Sequence, residues 1–209
     1  MNVLIVEDDP MARQLLEIYI YKSDRYNLVQ SIESAMFAEV CCHTNKVDLI
    51  LMDVCTAMNS SGLEAAEKIK QIFPEIKIII ITSQPECSFI DRARKIGIDS
   101  FWYKSAVADE IITVMNRTVD GENVYPDNTP ILNLGNTDSG AFSDRELEVL
   151  REVVAGETDT AIAEKLFISV RTVKQHIHSM REKTGFRNRT ELAVRARECG
   201  LVINHKKHE

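Results

Sequence analysis

Five side chains that could do chemistry each follow an apolar run in the first half of the chain, and they are Glu7, Asp8, Asp53, Thr82 and Lys104. Three of them are carboxylates, which repel one another at short range unless a cation neutralises them. Oxygen ligands select a hard ion, so we expect Mg²⁺. With the positive charge of Lys104 added, the site would suit a phosphoryl group, whose transfer depends on positioning and on charge neutralisation.

Asp53 is the candidate nucleophile of this set. An aspartate carboxylate can attack phosphorus and form an acyl phosphate. Asp53 ends the apolar run Leu49–Met52, which lies between the runs that carry the other charged residues. A single acidic residue after a strand would be an ordinary solvated loop residue. Five matching positions in strand order favour a phosphoacceptor site instead.

A parallel sheet would bring these side chains together at the carboxyl ends of its strands. Residues 1–118 have the sequence pattern of such a sheet. Short apolar runs alternate with amphipathic stretches, and the predicted strands are Val3–Val6, Leu28–Ile32, Val47–Met52, Ile76–Ile81 and Ser100–Tyr103. Helices are predicted from Pro10, after Ser34, and at Gly62–Phe73, Glu86–Ile96 and Ala106–Val119. Two of the runs are apolar on both faces, as strands inside a parallel sheet are. The predicted fold is α/β, a flavodoxin-like doubly wound (βα)5 domain whose ligand site lies beyond the carboxyl ends of its strands.

The rest of the chain is predicted to be a linker and an all-α domain. Residues 119–141 are rich in Gly, Pro, Asn, Asp and Ser, with too few periodic apolar residues to build an element. Residues 142–209 are predicted to form four helices, Asp144–Ala155, Asp159–Leu166, Val170–Thr184 and Glu191–Cys199, capped by Ser143, Thr158, Ser169 and Thr190. A four-helix domain therefore follows the α/β domain.

The first domain resembles the receiver domain of response regulators. The matching segments are Val6–Pro10, Leu51–Asp53, Ile81–Ser83 and Tyr103–Lys104. The resemblance covers residues 1 to 118, and it implies a phosphoryl donor, a phosphohistidine on a partner histidine kinase.

Roles for single residues follow from this resemblance. The implied metal ligands are Asp8, Asp53, the backbone carbonyl of Cys55 and, through water, Glu7. Thr82 would bond the phosphoryl oxygens and Lys104 would pair with them. Phe101 would be a switch aromatic that turns inward when Thr82 moves.

The second domain resembles the LuxR-type helix-turn-helix of NarL/FixJ response regulators. The matches are Arg145–Glu146, Glu148–Leu150, Gly156, Ile162–Ala163, Leu166, Ile168–Ser169, Thr172–Lys174, His176 and Lys183. Between Arg171 and Arg189 there are six basic residues and one acidic residue, on and just after a capped helix. Because such a helix fits the major groove, we expect this domain to bind double-stranded DNA. By the resemblance it would bind as a homodimer.

Helical spacing assigns faces to the helix predicted at Val170–Thr184. Val173, Ile177 and Met180 recur at helical spacing and should face the core. The outward residues assigned to base edges are Lys174, Gln175 and His178. The residues assigned to phosphates, which position a protein without reading sequence, are Arg171, Thr172, Lys183 and Arg187. In the last helix, an apolar stripe would serve either dimer pairing or core packing, and it consists of Leu192, Ala193, Ala196 and Leu201.

Two alternative functions remain open at this point. Many receivers carry Met-Pro where this chain has Thr56–Ala57, and they reach the next helix one residue sooner than Gly62. This altered loop, Thr56–Ser61, motivates a DNA-binding regulator whose atypical receiver acts without phosphorylation. A phosphatase of the haloacid-dehalogenase type also uses an aspartate nucleophile, but it needs a second aspartate where Cys55 stands. We therefore expect a regulator and not a turnover enzyme.

Composition and charge agree with a two-domain regulator. The chain of 209 residues is 44% hydrophobic and 27% charged, as globular proteins are, and no apolar run approaches the roughly 20 residues of a membrane span. No export signal precedes the first strand and no cysteine pair has zinc-site spacing, so we expect a cytoplasmic chain. Residues 141–209 hold 13 Lys and Arg against 11 Asp and Glu, a net charge of +2, which leaves −9 for the remainder. An acidic front half joined to a basic back half is typical of a regulator attached to a nucleic-acid reader.

Overall fold

The computed structural model describes residues 1–83, 88–104, 111–127 and 131–202. The chain divides into two compact units. The first holds Met1–Ser83 and Phe89–Asp127, and the second consists principally of the chain from Asn128 onward.

The first unit is built on a sheet of five parallel strands. In chain order, strands β1, β2 and β3 are Asn2–Val6, Asn27–Ile32 and Leu49–Asp53. After β3 a short two-stranded hairpin, β4–β5, precedes the last two strands of the sheet, β6 at Lys77–Thr82 and β7 at Ser100–Tyr103. The spatial order β2-β1-β3-β6-β7 is that of a doubly wound sheet, so the predicted flavodoxin-like fold is confirmed.

Helices connect these strands. In chain order, helices α1 to α5 are Pro10–Tyr21, Ala38–Thr44, Gly62–Ile72, Ser88–Ile96 and Ile111–Val119. Asp9 caps α1 by accepting a hydrogen bond of 2.7 Å from the amide of Ala12, and Pro10 supplies the first helical residue. Residues 86–87 of the predicted fourth helix and 106–110 of the predicted fifth helix lie outside the described residues.

The three central strands form the core of this unit. Every residue of Val3–Val6, Leu49–Met52 and Ile78–Ile81 is 0% exposed. Each such aliphatic side chain stabilises the fold by about 1.5–3 kcal/mol through its removal from water. Burial on both faces explains why these strands are continuously apolar and do not alternate with polar residues.

The loop after Asp53 folds into a small hairpin. Strand β4, Cys55–Thr56, pairs antiparallel with β5, Ser60–Ser61, around a 3₁₀ turn in which Met58 has a φ of 63°. Thr56 Oγ1 donates to the carbonyl of Ser60 at 2.8 Å and accepts from the amide of Ala35 at 3.0 Å. The altered loop is therefore a defined structure attached to the segment that precedes α2.

The described residues of the second unit form four helices, as predicted. Helices α6 to α9 are Asp144–Val154, Asp159–Lys165, Val170–Thr184 and Arg189–Glu198. Ser143 forms a capping box with Glu146, and Ser169 caps α8. The predicted cap at Thr190 is wrong, because Asn188 accepts the hydrogen bond from the amide of Glu191 at 2.9 Å and the helix begins at Arg189.

The prediction that residues 119–141 build no element is also wrong in part. Strands β8, Asn133–Leu134, and β9, Thr137–Asp138, form a hairpin, and a 3₁₀ turn follows at Ser139–Ala141. Leu134 is 2% exposed in the core of the second unit, and the amide of Asn136 donates to the carbonyl of Thr184. The hairpin depends on partners far along the chain, which a local hydrophobic pattern does not reveal.

Candidate metal centre and nucleic-acid interface

Three carboxylates meet at the carboxyl edge of the sheet. Glu7 and Asp8 directly follow β1, and Asp53 ends the neighbouring strand β3. One oxygen from each lies within 4.8 Å of the others. Glu7 is 0% exposed and Asp53 is 7% exposed, whereas Asp8 is exposed. The cluster is therefore closed on the protein side and open to solvent beside Asp8.

Lys104 joins two of these carboxylates. Its Nζ lies 2.9 Å from Asp53 Oδ2 and 2.5 Å from Glu7 Oε2. Its backbone amide donates to the carbonyl of Thr82 at 2.8 Å, which places the ends of β6 and β7 side by side. The five residues singled out in the sequence thus stand at one edge of the sheet, as the strand order requires.

The charges of this cluster are incompletely balanced. Burial, and next the charge of Asp53, raise the pKa of Glu7 to about 7, against the opposing effect of Lys104. Burial also raises the pKa of Asp53, although Lys104 lowers it. One lysine does not neutralise three carboxylates, and Glu7 Oε2 accepts no hydrogen bond of good geometry despite its ion pair. A divalent cation with a preference for oxygen fits this donor set.

Gly62 is a site residue that the sequence analysis missed. Its amide donates to the carbonyl of Val54 at 2.8 Å. A Cβ at this position would lie 1.8 Å from the backbone oxygen of Asp53. Glycine is therefore required where α3 begins, because any side chain would displace the backbone of Asp53. A glycine at the start of a helix near this aspartate was the signal in the sequence.

The remaining predicted residues of the first unit have defined surroundings. Phe101 is 1% exposed, with its ring turned inward and 5.0 Å from the ring of Tyr103. The side chain of Thr82 is fully buried. Cys55 is half-buried in β4. The metal contact of the Cys55 carbonyl and the water-mediated contact of Glu7 stay predictions, and here Glu7 contacts Lys104 directly.

Helix α8 has the two faces that its spacing predicted. Val173, Ile177 and Met180 are buried in the core of the second unit. The outward side chains are all exposed, and they are Lys174, Gln175 and His178. Thr172 stands in the first turn of the helix, where its hydroxyl is 2.8 Å from that of Ser169. Their contacts with DNA stay predictions.

The basic side chains near α8 fall into two groups. Three exposed basic side chains form no ion pair with another described residue: Arg171, Lys174 and Arg187. The others are bound internally. Lys183 Nζ donates to Glu146 Oε2 at 2.7 Å and to the carbonyl of Ala141 at 2.9 Å, and Arg189 pairs with Asp159. The predicted phosphate contact of Lys183 thus concerns a side chain that already has partners within its own unit.

The apolar stripe of the last helix belongs mostly to the core. Leu192, Ala196 and Leu201 are 0% exposed and pack in the core of the second unit, and Ala193 is partly buried against it. Core packing, one of the two interpretations of this stripe, is therefore confirmed for these three residues.

The chain matches two families of known proteins. Residues 3–116 match the response regulator receiver domain, and residues 140–196 match the bacterial regulatory proteins of the luxR family. The response regulator protein VraR of Staphylococcus epidermidis is 29% identical over 206 residues, covering 96% of this chain and 98% of VraR. VraR of Staphylococcus aureus is likewise 29% identical over 206 residues, with the same coverage.

Solved structures of RcsB share the fold. A structure of two RcsB dimers bound to two parallel DNAs is 21% identical, with a TM-score of 0.62, and covers 94% of this chain and 98% of that one. RcsB from Salmonella enterica serovar Typhimurium, bound to a promoter in the presence of phosphomimetic BeF₃⁻, is 20% identical, with a TM-score of 0.64, and covers 93% of this chain and 96% of that one. Among the described residues, none of the helices is both long enough and apolar enough to span a bilayer.

Proposed function

Because the chain belongs to the response regulator family, we propose that phosphorylation of Asp53 controls DNA binding by the LuxR-type domain. The chain is a two-component response regulator in which a receiver domain precedes a helix-turn-helix domain. The observation that carries the proposal is the cluster of three carboxylate groups with Lys104 bridging Asp53 and Glu7. We place the receiver at residues 1–118, the linker at 119–141 and the DNA-binding domain at 142–209.

Asp53 acts as the phosphoacceptor in this proposal. A carboxylate oxygen attacks the phosphorus of a phosphohistidine on the partner kinase, the new P–O bond forms as the P–N bond breaks, and the imidazole leaves with the electron pair. Lys104, now 2.9 Å from Asp53 Oδ2, pairs with the phosphoryl oxygens. Thr82, at the end of the adjacent strand β6, donates to them.

Magnesium is the cation that we assign to the carboxylates. Asp8, Asp53 and the backbone carbonyl of Cys55 would hold it, with Glu7 reaching it through water. When bound, it supplies the positive charge that offsets the acidic groups around the phosphoryl group. The chain's own part includes leaving room for the backbone of Asp53, which the absence of a side chain at Gly62 provides.

The phosphoryl group changes the balance between two receiver states. It adds negative charge and oxygen acceptors beside Thr82 and Lys104, and this stabilises the state in which Thr82 is drawn toward the site. Phe101 then occupies the inward position that it has in this structure. The same shift favours a dimeric, DNA-competent form.

The DNA-binding surface is the outward face of α8 with its flanks. Lys174, Gln175 and His178 read base edges, and the phosphate contacts are Arg171, Thr172, Arg187 and Lys183. Exposure of the three base-reading side chains supports this assignment. The structure of two RcsB dimers bound to two parallel DNAs supports binding as a homodimer. We propose a cytoplasmic location, where a kinase and DNA are both accessible.

The alternative of a receiver that acts without phosphorylation has little support. The altered loop forms the β4–β5 hairpin, and Glu7, Asp8 and Asp53 still lie close together. A turnover phosphatase is also not favoured, because Cys55 occupies the position of the second aspartate that such an enzyme uses.

Phosphoryl uptake is the first test. Purified protein is treated with acetyl phosphate and Mg²⁺, and its intact mass is measured. We expect the mass of one phosphoryl group on the wild type and on Asp24→Asn, an exposed aspartate on the same unit, but none on Asp53→Asn. A wild type that gains no mass, or an Asp53→Asn variant that does, would refute the proposed phosphoacceptor.

DNA affinity is the second test. Phosphorylated wild type should bind its operator more tightly than the unphosphorylated protein, and Asp53→Asn should show no such gain. Lys174→Ala should weaken operator binding more than binding to random DNA, by about 1–3 kcal/mol, while Arg187→Ala should weaken both alike. Equal losses on both DNAs for both variants would contradict the division into base and phosphate contacts.

A further inference from the structure

The chain leaving α5 returns to the edge of the receiver sheet. Strand β7 is an edge strand of that sheet, and the segment after α5 runs beside it. The carbonyl of Val124 accepts from the amide of Phe101 at 2.8 Å, and the amide of Val124 donates to Ser100 Oγ at 3.0 Å. Val124 itself is 8% exposed. The first part of the predicted linker is therefore bound to the receiver domain.

Tyr125 connects this segment to three features of the same unit. Its hydroxyl donates to the carbonyl of Ile98 at 2.7 Å, in the turn between α4 and β7. Its ring stacks on that of Phe101, with centroids 6.4 Å apart and planes 27° apart. The guanidinium of Arg94, on α4, lies 5.0 Å from the centroid of the same ring. Burial raises the pKa of Tyr125 to about 12, so the hydroxyl that bonds Ile98 stays protonated to a higher pH than that of an exposed tyrosine.

The residue beneath Tyr125 is the predicted switch aromatic. The buried Phe101 ring makes an edge contact with the ring of Tyr103 at 5.0 Å and is stacked with the ring of Tyr125 at 6.4 Å. Both the side chain and the backbone amide of Phe101 thus contact residues of the returning segment. A displaced Phe101 ring would deprive Tyr125 of its stacking partner, and a displaced Tyr125 would uncover Phe101.

We propose that Tyr125 is a positioning residue that couples the switch aromatic Phe101 to the chain between the two units. The inward position of Phe101 and the docked position of Val124–Tyr125 stabilise each other. This inference rests on the proposed function of Asp53 and Phe101. Because coupling is reciprocal, phosphorylation that favours the inward Phe101 also strengthens the docking of Tyr125. Tyr125 lies two residues before Asp127, the last residue of the first unit, so docking binds the chain to the receiver almost to the end of that unit.

Amide hydrogen exchange tests this coupling directly. The reporters are the amides of Phe101 and Val124, measured on the full chain with and without acetyl phosphate and Mg²⁺. In the wild type, phosphorylation should slow both exchange rates by about tenfold. In Tyr125→Ala this slowing should disappear, and the gain in DNA affinity on phosphorylation should fall by about tenfold, while Asp53 still takes up its phosphoryl group. A residue that merely covers the sheet edge would leave the response to phosphorylation intact.

Two further variants serve as controls for Tyr125→Ala. Tyr125→Phe retains the stacked ring and loses only the hydrogen bond to Ile98, so it should keep most of the response even if Tyr125→Ala unfolds. Tyr21→Ala removes a tyrosine that is 73% exposed on α1 and should respond as the wild type does. The coupling would be overturned if phosphorylation of Tyr125→Ala slowed amide exchange and raised DNA affinity as much as it does in the wild type. The coupling would also be overturned if phosphorylation of the wild type left the exchange rates of the Phe101 and Val124 amides unchanged.

A failure of the proposed function would be recognised separately. If Asp53 gains no phosphoryl mass, that function is refuted, and the coupling is then judged in the unphosphorylated chain with Phe101→Ala. Val124 is bonded to Phe101 only through the backbone amide of Phe101, which the substitution keeps, and its own amide bonds Ser100, so loss of the Phe101 ring acts on Val124 through Tyr125. We expect faster exchange at Val124 in this variant, and unchanged exchange would overturn the coupling.

Discussion

Each unit of the chain contains a buried glutamate beside a lysine, and the two pairs behave in opposite ways. In the receiver, Lys104 Nζ lies 2.5 Å from Glu7 Oε2 but also 2.9 Å from Asp53. In the DNA-binding unit, Lys183 Nζ lies 2.7 Å from Glu146 Oε2. The distances are alike, so the difference comes from what surrounds each pair.

The surroundings give the two glutamates opposite pKa shifts. Burial and the charge of Asp53 raise the pKa of Glu7 to about 7. Burial would raise the pKa of Glu146 too, but Lys183, the amide of Ser143 and the hydroxyl of Ser179 together lower it to about 2. A glutamate that receives several hydrogen bonds is a structural element, whereas one that shares its lysine with a second carboxylate leaves negative charge for a ligand to neutralise.

The largest effect should follow from breaking the pair in the DNA-binding unit. Glu146→Ala leaves Lys183 and Ser179 without their shared acceptor, so we expect the free energy of unfolding of this unit to fall by about 3 kcal/mol. Hydrogen exchange of the α8 amides in rising urea measures it. Glu198→Ala is the matched control, because its pair with Arg195 is more than half exposed and its loss should cost less than about 1 kcal/mol. Equal losses for both variants would contradict the structural role of Glu146.

Magnesium should stabilise one unit and leave the other unchanged. At a concentration of about 100 times its Kd, the ion should add about 2.7 kcal/mol to the free energy of unfolding of the receiver. Fluorescence of Trp102, the single tryptophan of the chain, follows receiver unfolding because it lies in β7. Asp53→Asn should reduce the gain, and exchange of the α8 amides should not change. A gain of the same size in both units would point to a general salt effect.

Acid should weaken the DNA-binding unit through Glu146. Its folded pKa of about 2 lies below the ordinary value of 4.5, so its contribution to stability is complete above pH 4.5 and is lost as the pH falls toward 2. We expect a loss of about 2 kcal/mol over that range, measured as urea unfolding at successive pH values. Glu146→Gln should be less stable at neutral pH, with a flatter pH profile. An identical profile in wild type and variant would assign the acid sensitivity to other groups.

The smallest effect concerns the salt dependence of DNA binding. Arg171 is exposed and has no ion pair in the described structure, so Arg171→Ala should reduce the slope of log affinity against log salt by about 0.9. Lys183 already neutralises Glu146, and we expect Lys183→Ala to change that slope by less. Both are compared at a temperature where they are fully folded. If Lys183→Ala reduced the slope more than Arg171→Ala does, the main role of Lys183 would be phosphate contact and not the ion pair with Glu146.

Much of the fold and of the receiver site was predictable from the sequence. The central strands are apolar on both faces and therefore stand out as runs, and the caps at Asp9, Ser143 and Ser169 mark helix starts within a few residues. Parallel strands bring their carboxyl ends together, which placed Glu7, Asp8, Asp53, Thr82 and Lys104 at one edge. The outward face of α8 likewise followed from its period.

Other features depended on partners that are distant in sequence. The docking of Val124 and Tyr125 on β7, the β8–β9 hairpin and the packing of Gly62 against Asp53 each need a neighbour that local patterns do not identify. The choice of Asn188 over Thr190 as a cap is of the same kind, since both side chains are able to cap a helix.

The sequence by itself determined the helices, the five strands of the parallel sheet and the side chains that end those strands, because periodicity and capping act over a few residues. Only the tertiary structure decided how the charges are used. Lys104 faces two carboxylates and Lys183 faces one, and this difference depends on which elements pack together. Desolvation and hydrogen bonding act through space, so two glutamate–lysine pairs of equal composition acquire opposite pKa shifts and different functions.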